Sequence, residues 1–194
     1  SISYGTIALK LIENSNIDKL KSHVWNYLGV VYGNLGNLDS AYHYYQKAIE
    51  FAEYMKDSVE IAYSLDNLGD YYIKSALYSA GLEKFFQSYK IFESIGDKTG
   101  MAYCLNDIGE VYIAQKDNKK ALHYFTRSAK LRKENNDNRG YAKSLINIAT
   151  VQYKNLELKT ALNTFNEAEK YCEKSDYIKG RSYIKSGISD IHLN

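Results

Sequence analysis

The side chains of this 194-residue chain best suited to chemistry are four histidines, two cysteines and the carboxylates. Their spacing decides against catalysis. A zinc centre draws three or four N, S or O ligands to one point. His43 and His123 instead stand at equivalent places in two stretches of helical period, where solvated surface is expected, and His192 lies at the terminus. His23 shares a column with Tyr63, Tyr103, Lys143 and Tyr183 that faces a ligand only if the elements around it leave it open. Cys104 and Cys172 are far apart and outside any C-x-x-C spacing. Free thiols in a reducing compartment are therefore expected, which places the chain in the cytoplasm. No H-E-x-x-H, G-x-S-x-G, phosphate-binding loop or dinucleotide fingerprint occurs. The expectation is a protein that is not an enzyme, with no metal and no cofactor.

The basic run KKALHYFTRSAKLRK holds Lys119, Lys120, Arg127, Lys130, Arg132 and Lys133. Basic residues among aromatics suit nucleic acid, but helical spacing spreads these charges over an outer helix face. With 25 basic and 23 acidic residues the net charge is only +2, so direct nucleic-acid binding is not expected. No stretch approaches the roughly 18 apolar residues that span a bilayer, and a signal peptide is not expected. No membrane contact is expected.

The elements that position these groups are read from small residues. In HVWNYLGVVYGNLG, His23 to Gly36, Gly29 interrupts an apolar run of helical period. Glycine costs about 1 kcal/mol there relative to alanine. Gly69, Gly109 and Ala149 follow at steps of 40, preceded by Leu28, Leu68, Ile108 and Ile148. A second block keeps step: Ala41, Gly81, Ala121 and Ala161, then Tyr45, Phe85, Phe125 and Phe165, then Ala48, Ser88, Ser128 and Ala168. Each unit thus holds two helices separated by a short break. Asp57, Asp97 and Asp137 suit helix N-caps, Asp57 with Glu60 as a capping box. Gly29 is expected to oppose a small residue such as Ala41 or Ala48, letting two backbones approach. Hydrophobic residues make up 45% of the chain, enough for a continuous core, and proline is absent, which fits uninterrupted helices.

WNYLGVVY, Trp25 to Tyr32, followed by A-x3-Y at Ala41 to Tyr45, resembles the tetratricopeptide repeat signature along essentially the whole chain. Two departures stand out: the period is 40 where the family commonly uses 34, and no proline closes a unit. The 40-residue variety is similar to sensor or adaptor regions of larger signalling proteins, and the composition looks bacterial. The resemblance implies an all-α, right-handed solenoid of stacked antiparallel helix pairs, about ten helices in one array over 1–194. Residues 1–17 would be the second helix of a truncated unit. Full units would cover 18–57, 58–97, 98–137 and 138–177, and 178–194 would be the first helix of a further unit. The chain is thus expected to be a segment of a longer protein.

Such arrays hold partners against an inner wall of first helices. Carrying the family's columns over places His23, Asn26, Tyr27, Tyr63, Asp66, Asn67, Asp70, Tyr103, Asn106, Asp107, Glu110, Lys143 and Asn147 on that wall. Asparagine donates and accepts, so it pairs with any extended backbone, and tyrosine offers broad contact at modest entropic cost. Asp66, Asp70, Asp107 and Glu110 favour a basic group or an amine, partly countered by Lys74, Lys143 and Lys154. No basic clamp for a C-terminal carboxylate is evident in these columns. The expected function is a noncatalytic module of a larger regulatory protein that binds a protein or peptide segment in its concave groove. The competing reading is a structural or oligomerisation scaffold, a homodimer through its end helices.

Overall fold

The computed structural model of the chain describes residues 20–193, together with Ile7 and Lys10. The expected helix over 1–17 and the side chain of His192 lie outside the described residues. Among the described residues all regular structure is helical: α1 (Lys21–Asn34), α2 (Leu38–Met55), α3 (Ser58–Lys74), α4 (Tyr78–Ile95), α5 (Lys98–Ala114), α6 (Asn118–Glu134), α7 (Asn138–Lys154), α8 (Leu158–Lys174) and α9 (Ile178–His192). The chain divides into two compact units, residues 1–100 and 101–194, with the division inside α5. In the first unit α1 packs on α2, α2 on α3 and α3 on α4; in the second α6 packs on α7, α7 on α8 and α8 on α9. This is the all-α arrangement of stacked antiparallel helix pairs that the resemblance implies.

The turns repeat as strictly as the helices. Gly36, Ala76, Lys116 and Leu156 all adopt left-handed φ, from 60° to 77°, and so do Lys56, Gly96, Asn136 and Asp176, from 50° to 72°. A left-handed residue just past a helix lets the following N–H groups close on its last carbonyls, as Asp57 N does on Ala52 O at 2.9 Å. The next helix then opens on a side-chain cap. Asn37, Asp57, Asp97, Asp117 and Asp137 each accept from a backbone N–H two or three residues on, between 2.8 and 3.1 Å. The Lys120 N–H at the Asp117 carboxylate holds that carboxyl below its ordinary range. The Glu60 side chain does not complete the expected capping box: its Oε2 meets His23 Nδ1 at 2.7 Å instead.

The small residues make room for aromatic rings as well as for one another. A Cβ on Gly29 would fall 2.5 Å from the Tyr45 ring, and one on Gly69 or Gly109 would fall 2.6 Å from the rings of Phe85 and Phe125. The glycine therefore opens a niche for the aromatic ring of the partner helix, and small residues also meet, since a Cβ on Gly81 would fall 3.1 Å from Gly69 O. Those rings are almost wholly buried, at 3%, 1% and 2% exposure. Ser88 and Ser128 satisfy their buried hydroxyls alike, donating to Ala62 O and Ala102 O at 2.8 Å. Burial raises the Tyr45 phenol above its usual range, with the nearby Asp70 charge adding to it. Both cysteines are buried free thiols.

Candidate functional site

Three first helices and one second helix of the second unit enclose a pocket of about 590 Å³. Tyr103 and Glu110 come from α5, Lys143, Ile146, Asn147 and Thr150 from α7, and Lys179 and Tyr183 from α9, with Tyr177 at the start of that helix. Along α7 the lining positions recur three or four residues apart, the spacing of one helix face. A further hollow of about 350 Å³ shares Glu110, Asn147 and Thr150 with it, so the concavity continues along α5 and α7.

Polar groups on this wall are tied to one another. Asn147 Nδ2 donates to Asn106 Oδ1 at 2.9 Å, and Asn106 Nδ2 donates to Glu110 Oε1 at 2.7 Å. Lys143 Nζ stands 3.7 Å from the same Glu110 oxygen. Cations lie over the pocket's rings, Arg139 5.0 Å from the centre of Tyr177 and Lys179 6.0 Å from that of Tyr183. Arg132 and Asp137 also line it, the Arg132 guanidinium 4.7 Å from the centre of the Tyr103 ring. Counting lining residues, four cations face two carboxylates, Glu110 and Asp137. This excess of cations is opposite in sign to the balance expected from the acidic residues alone.

Of the expected wall residues, the second unit brings Tyr103, Asn106, Asp107, Glu110, Lys143 and Asn147 together. Asn106 is only 1% exposed and serves the network from beneath; Asp107 Oδ1 accepts a longer bond from its Nδ2, 3.3 Å. In the first unit Tyr27 is exposed, as are His23, paired with Glu60, and Asp70. Asp66 and Asn67 are half-buried there. Tyr63 is also half-buried, edge-on to Phe92 at 5.0 Å. Asn26 is buried and donates to Ser64 Oγ at 2.8 Å. Its side chain holds α1 to α3 rather than facing solvent.

Sequence reasoning missed Arg132, Arg139, Tyr177 and Lys179. Arg132 is the instructive case, because it was expected on a solvated face and is 3% exposed. Its column reads Ala52, Phe92, Arg132, Cys172. One charge in an otherwise apolar column was the available signal. No group of three or more His, Cys, Asp or Glu able to hold a metal occurs among the described residues. No helix among them is long and apolar enough to cross a membrane.

Residues 101–174 match a family model described as tetratricopeptide repeat, and residues 23–54 match a second model of the same description. Together they cover more than half of the chain. No curated protein sequence matches it. Among solved structures, aspartyl phosphate phosphatase F from Bacillus subtilis is similar with a TM-score of 0.85 at 16% identity, over 95% of this chain and 48% of the phosphatase. The apo form of RapI is similar at 0.78 and 22% identity, over 95% of this chain and 67% of its own. A STAND signal-transduction ATPase with a tetratricopeptide repeat sensor, from Pyrococcus horikoshii, is similar at 0.75 and 20% identity, over 92% of this chain and 28% of its own. The chain thus spans about half of the phosphatase and under a third of the ATPase, and at these identities the likeness is one of fold. Paired helices in 40-residue step, ring niches at Gly29, Gly69 and Gly109 and two matching family models lead to one assignment: the chain belongs to the tetratricopeptide repeat family, whose arrays are protein-interaction modules.

Proposed function

We propose that the chain is a noncatalytic sensing or scaffolding part of a larger regulatory protein in the cytoplasm, and that it holds a polypeptide segment against its first helices. The observation that carries this reading is the continuous concavity of the second unit, with Tyr103, Tyr177 and Tyr183 around the larger pocket. Rigid tyrosines give contact area at small entropic cost. Glu110, Lys143 and Asn147 beside them offer acceptors and donors to an extended backbone. The exposed Tyr27, His23 and Asp70 of the first unit are assigned the same role. Support from outside the chain comes from the STAND protein, whose tetratricopeptide repeats carry the name of a sensor, and from the fraction of that protein which this chain spans.

Selection from a random peptide display library on the immobilised full chain tests the reading. Enriched peptides should emerge, and Tyr103→Ala with Tyr183→Ala should weaken them by about tenfold or more, as hot-spot aromatics do, while circular dichroism stays unchanged. No enrichment, or enrichment indifferent to both substitutions, discards the groove. The oligomerisation scaffold is separated by sedimentation: a stable dimer that the two substitutions leave intact, together with an empty selection, is its signature.

A further inference from the structure

Arg132 carries a charge into a column of the core that other units fill with Ala52, Phe92 and Cys172, so the fold itself does not require it. An ionised guanidinium has five N–H donors and no way to lose its charge, and leaving such donors buried and unpaired is costly. Nε donates to Ser128 Oγ and Nη1 to Asp137 Oδ2, both at a long 3.3 Å. Nη2 is buried with no hydrogen-bond partner. The group is nonetheless held with care. A side chain on Gly140 would collide with Nη1, so the glycine leaves the space in which the guanidinium lies, and the Tyr103 ring covers its face. Asp137 both orients it and caps α7, accepting from Gly140 N at 2.8 Å.

The charge around it completes the picture. Of the pocket's two carboxylates, Asp137 is engaged by Arg132, and Glu110 by Asn106 and Lys143. Arg139 and Lys179 are left to raise the local positive potential. A monoanionic planar group entering here would take the remaining Nη2 hydrogens against the ring of Tyr103, the charge-assisted geometry for which arginine is suited. We infer that the second-unit pocket receives a carboxylate of the bound polypeptide, an Asp or Glu side chain or a C-terminus, on Arg132. This rests on the reading that the concavity holds a polypeptide. It differs from the expectation of a basic ligand because the anchoring cation comes from a second helix, outside the first-helix columns.

The test is an NMR titration of the full chain, followed at the Arg132 side-chain Nε–H resonance. The probes are Ala-Ala-Glu-Ala-Ala and Ala-Ala-Gln-Ala-Ala with both ends blocked, the Gln peptide with a free C-terminal carboxylate, and inorganic phosphate, each to about 20 mM. The Glu peptide, the free-terminus peptide or both should shift the resonance saturably, at least about tenfold more tightly than the blocked Gln peptide. Which of the two does so identifies the source of the carboxylate. Arg132→Met should abolish the difference between probes while folding, since apolar residues fill this column elsewhere. If it does not fold, Arg132→Lys, with its single point charge, should reduce the preference, and the comparison on the unmodified chain needs no variant. Equal response to all peptides, response to phosphate alone, or no response overturns the inference. The two readings fail separately: display peptides without acidic residues that still need Tyr103 keep the groove and discard the carboxylate. A carboxylate-specific shift with an empty selection does the reverse.

Discussion

Single residues in this chain work in complementary pairs across a helix–helix contact. Gly69 lacks a side chain because Phe85 needs the space, and Gly140 lacks one because Arg132 does. The pairing yields a residue-scale prediction. Gly69→Leu adds helix propensity of about 0.8 kcal/mol, yet it places atoms where the Phe85 ring already lies, at 2.6 Å from a new Cβ. Overpacking of this kind costs about 1–3 kcal/mol, so the melting temperature should fall. Phe85→Ala costs about 3–5 kcal/mol by itself, but in the Gly69→Leu background it should cost clearly less, because the leucine fills part of the vacated niche. Additive effects, or an unchanged melting temperature for Gly69→Leu, would refute the niche. Buried tyrosines follow the same logic of environment: Tyr141 has its phenol raised by burial and by the hydrogen bond it donates to Glu167 at 2.9 Å.

At the scale of elements, the turns show how little local chemistry a repeat demands once its helices pack. The column Gly36, Ala76, Lys116, Leu156 holds four residue types in one left-handed conformation. A side chain in that conformation costs about 1–2 kcal/mol, and Leu156 is a leucine at φ 63° with 82% exposure. Leu156→Gly should therefore stabilise the chain by about 0.5–1 kcal/mol, the conformational relief exceeding glycine's added unfolded-state entropy. A lower melting temperature for this variant would show that the leucine makes contacts that outweigh its strain. The helix starts are less permissive, because an uncapped N–H must find another acceptor. Asn and Asp accordingly recur at Asn37, Asp57, Asp117 and Asp137, whereas Leu77, Glu157 and Tyr177 provide no side-chain cap.

For the molecule as a whole, stability in a repeat protein is a sum of local units and their nearest-neighbour interfaces. Each of the two compact units therefore has its own hierarchy of opening. In the second, nine of the seventeen residues of α7 are buried, from Gly140 to Val151. In the first, α1 buries four of its fourteen. Native-state hydrogen exchange should find the slowest amides in α7 and much faster ones in α1. Uniform protection across both helices would mean that the chain opens only as one cooperative body, against the division at residue 100.

The period, the helix pairs and the caps at Asp57, Asp97 and Asp137 were legible in the sequence, because each follows from spacing along one helix or from a strict 40-residue step. The meaning of the glycines was not. Period alone places Gly29, Ala41, Tyr45 and Ala48 in register, but that the Tyr45 ring lies nearest the glycine depends on how one helix is rotated against the other. The site was half legible: Tyr103, Asp107, Glu110, Lys143 and Asn147 share columns on first helices, while Arg132 lies on a second helix among residues that look solvated. Sequence by itself determined a tetratricopeptide array of paired helices. Only the tertiary structure decided that Arg132 is buried, that Gly140 makes room for it and that four cations and two carboxylates line one pocket. Burial and net local charge depend on which neighbouring helices close over a side chain, and no spacing within one helix records that.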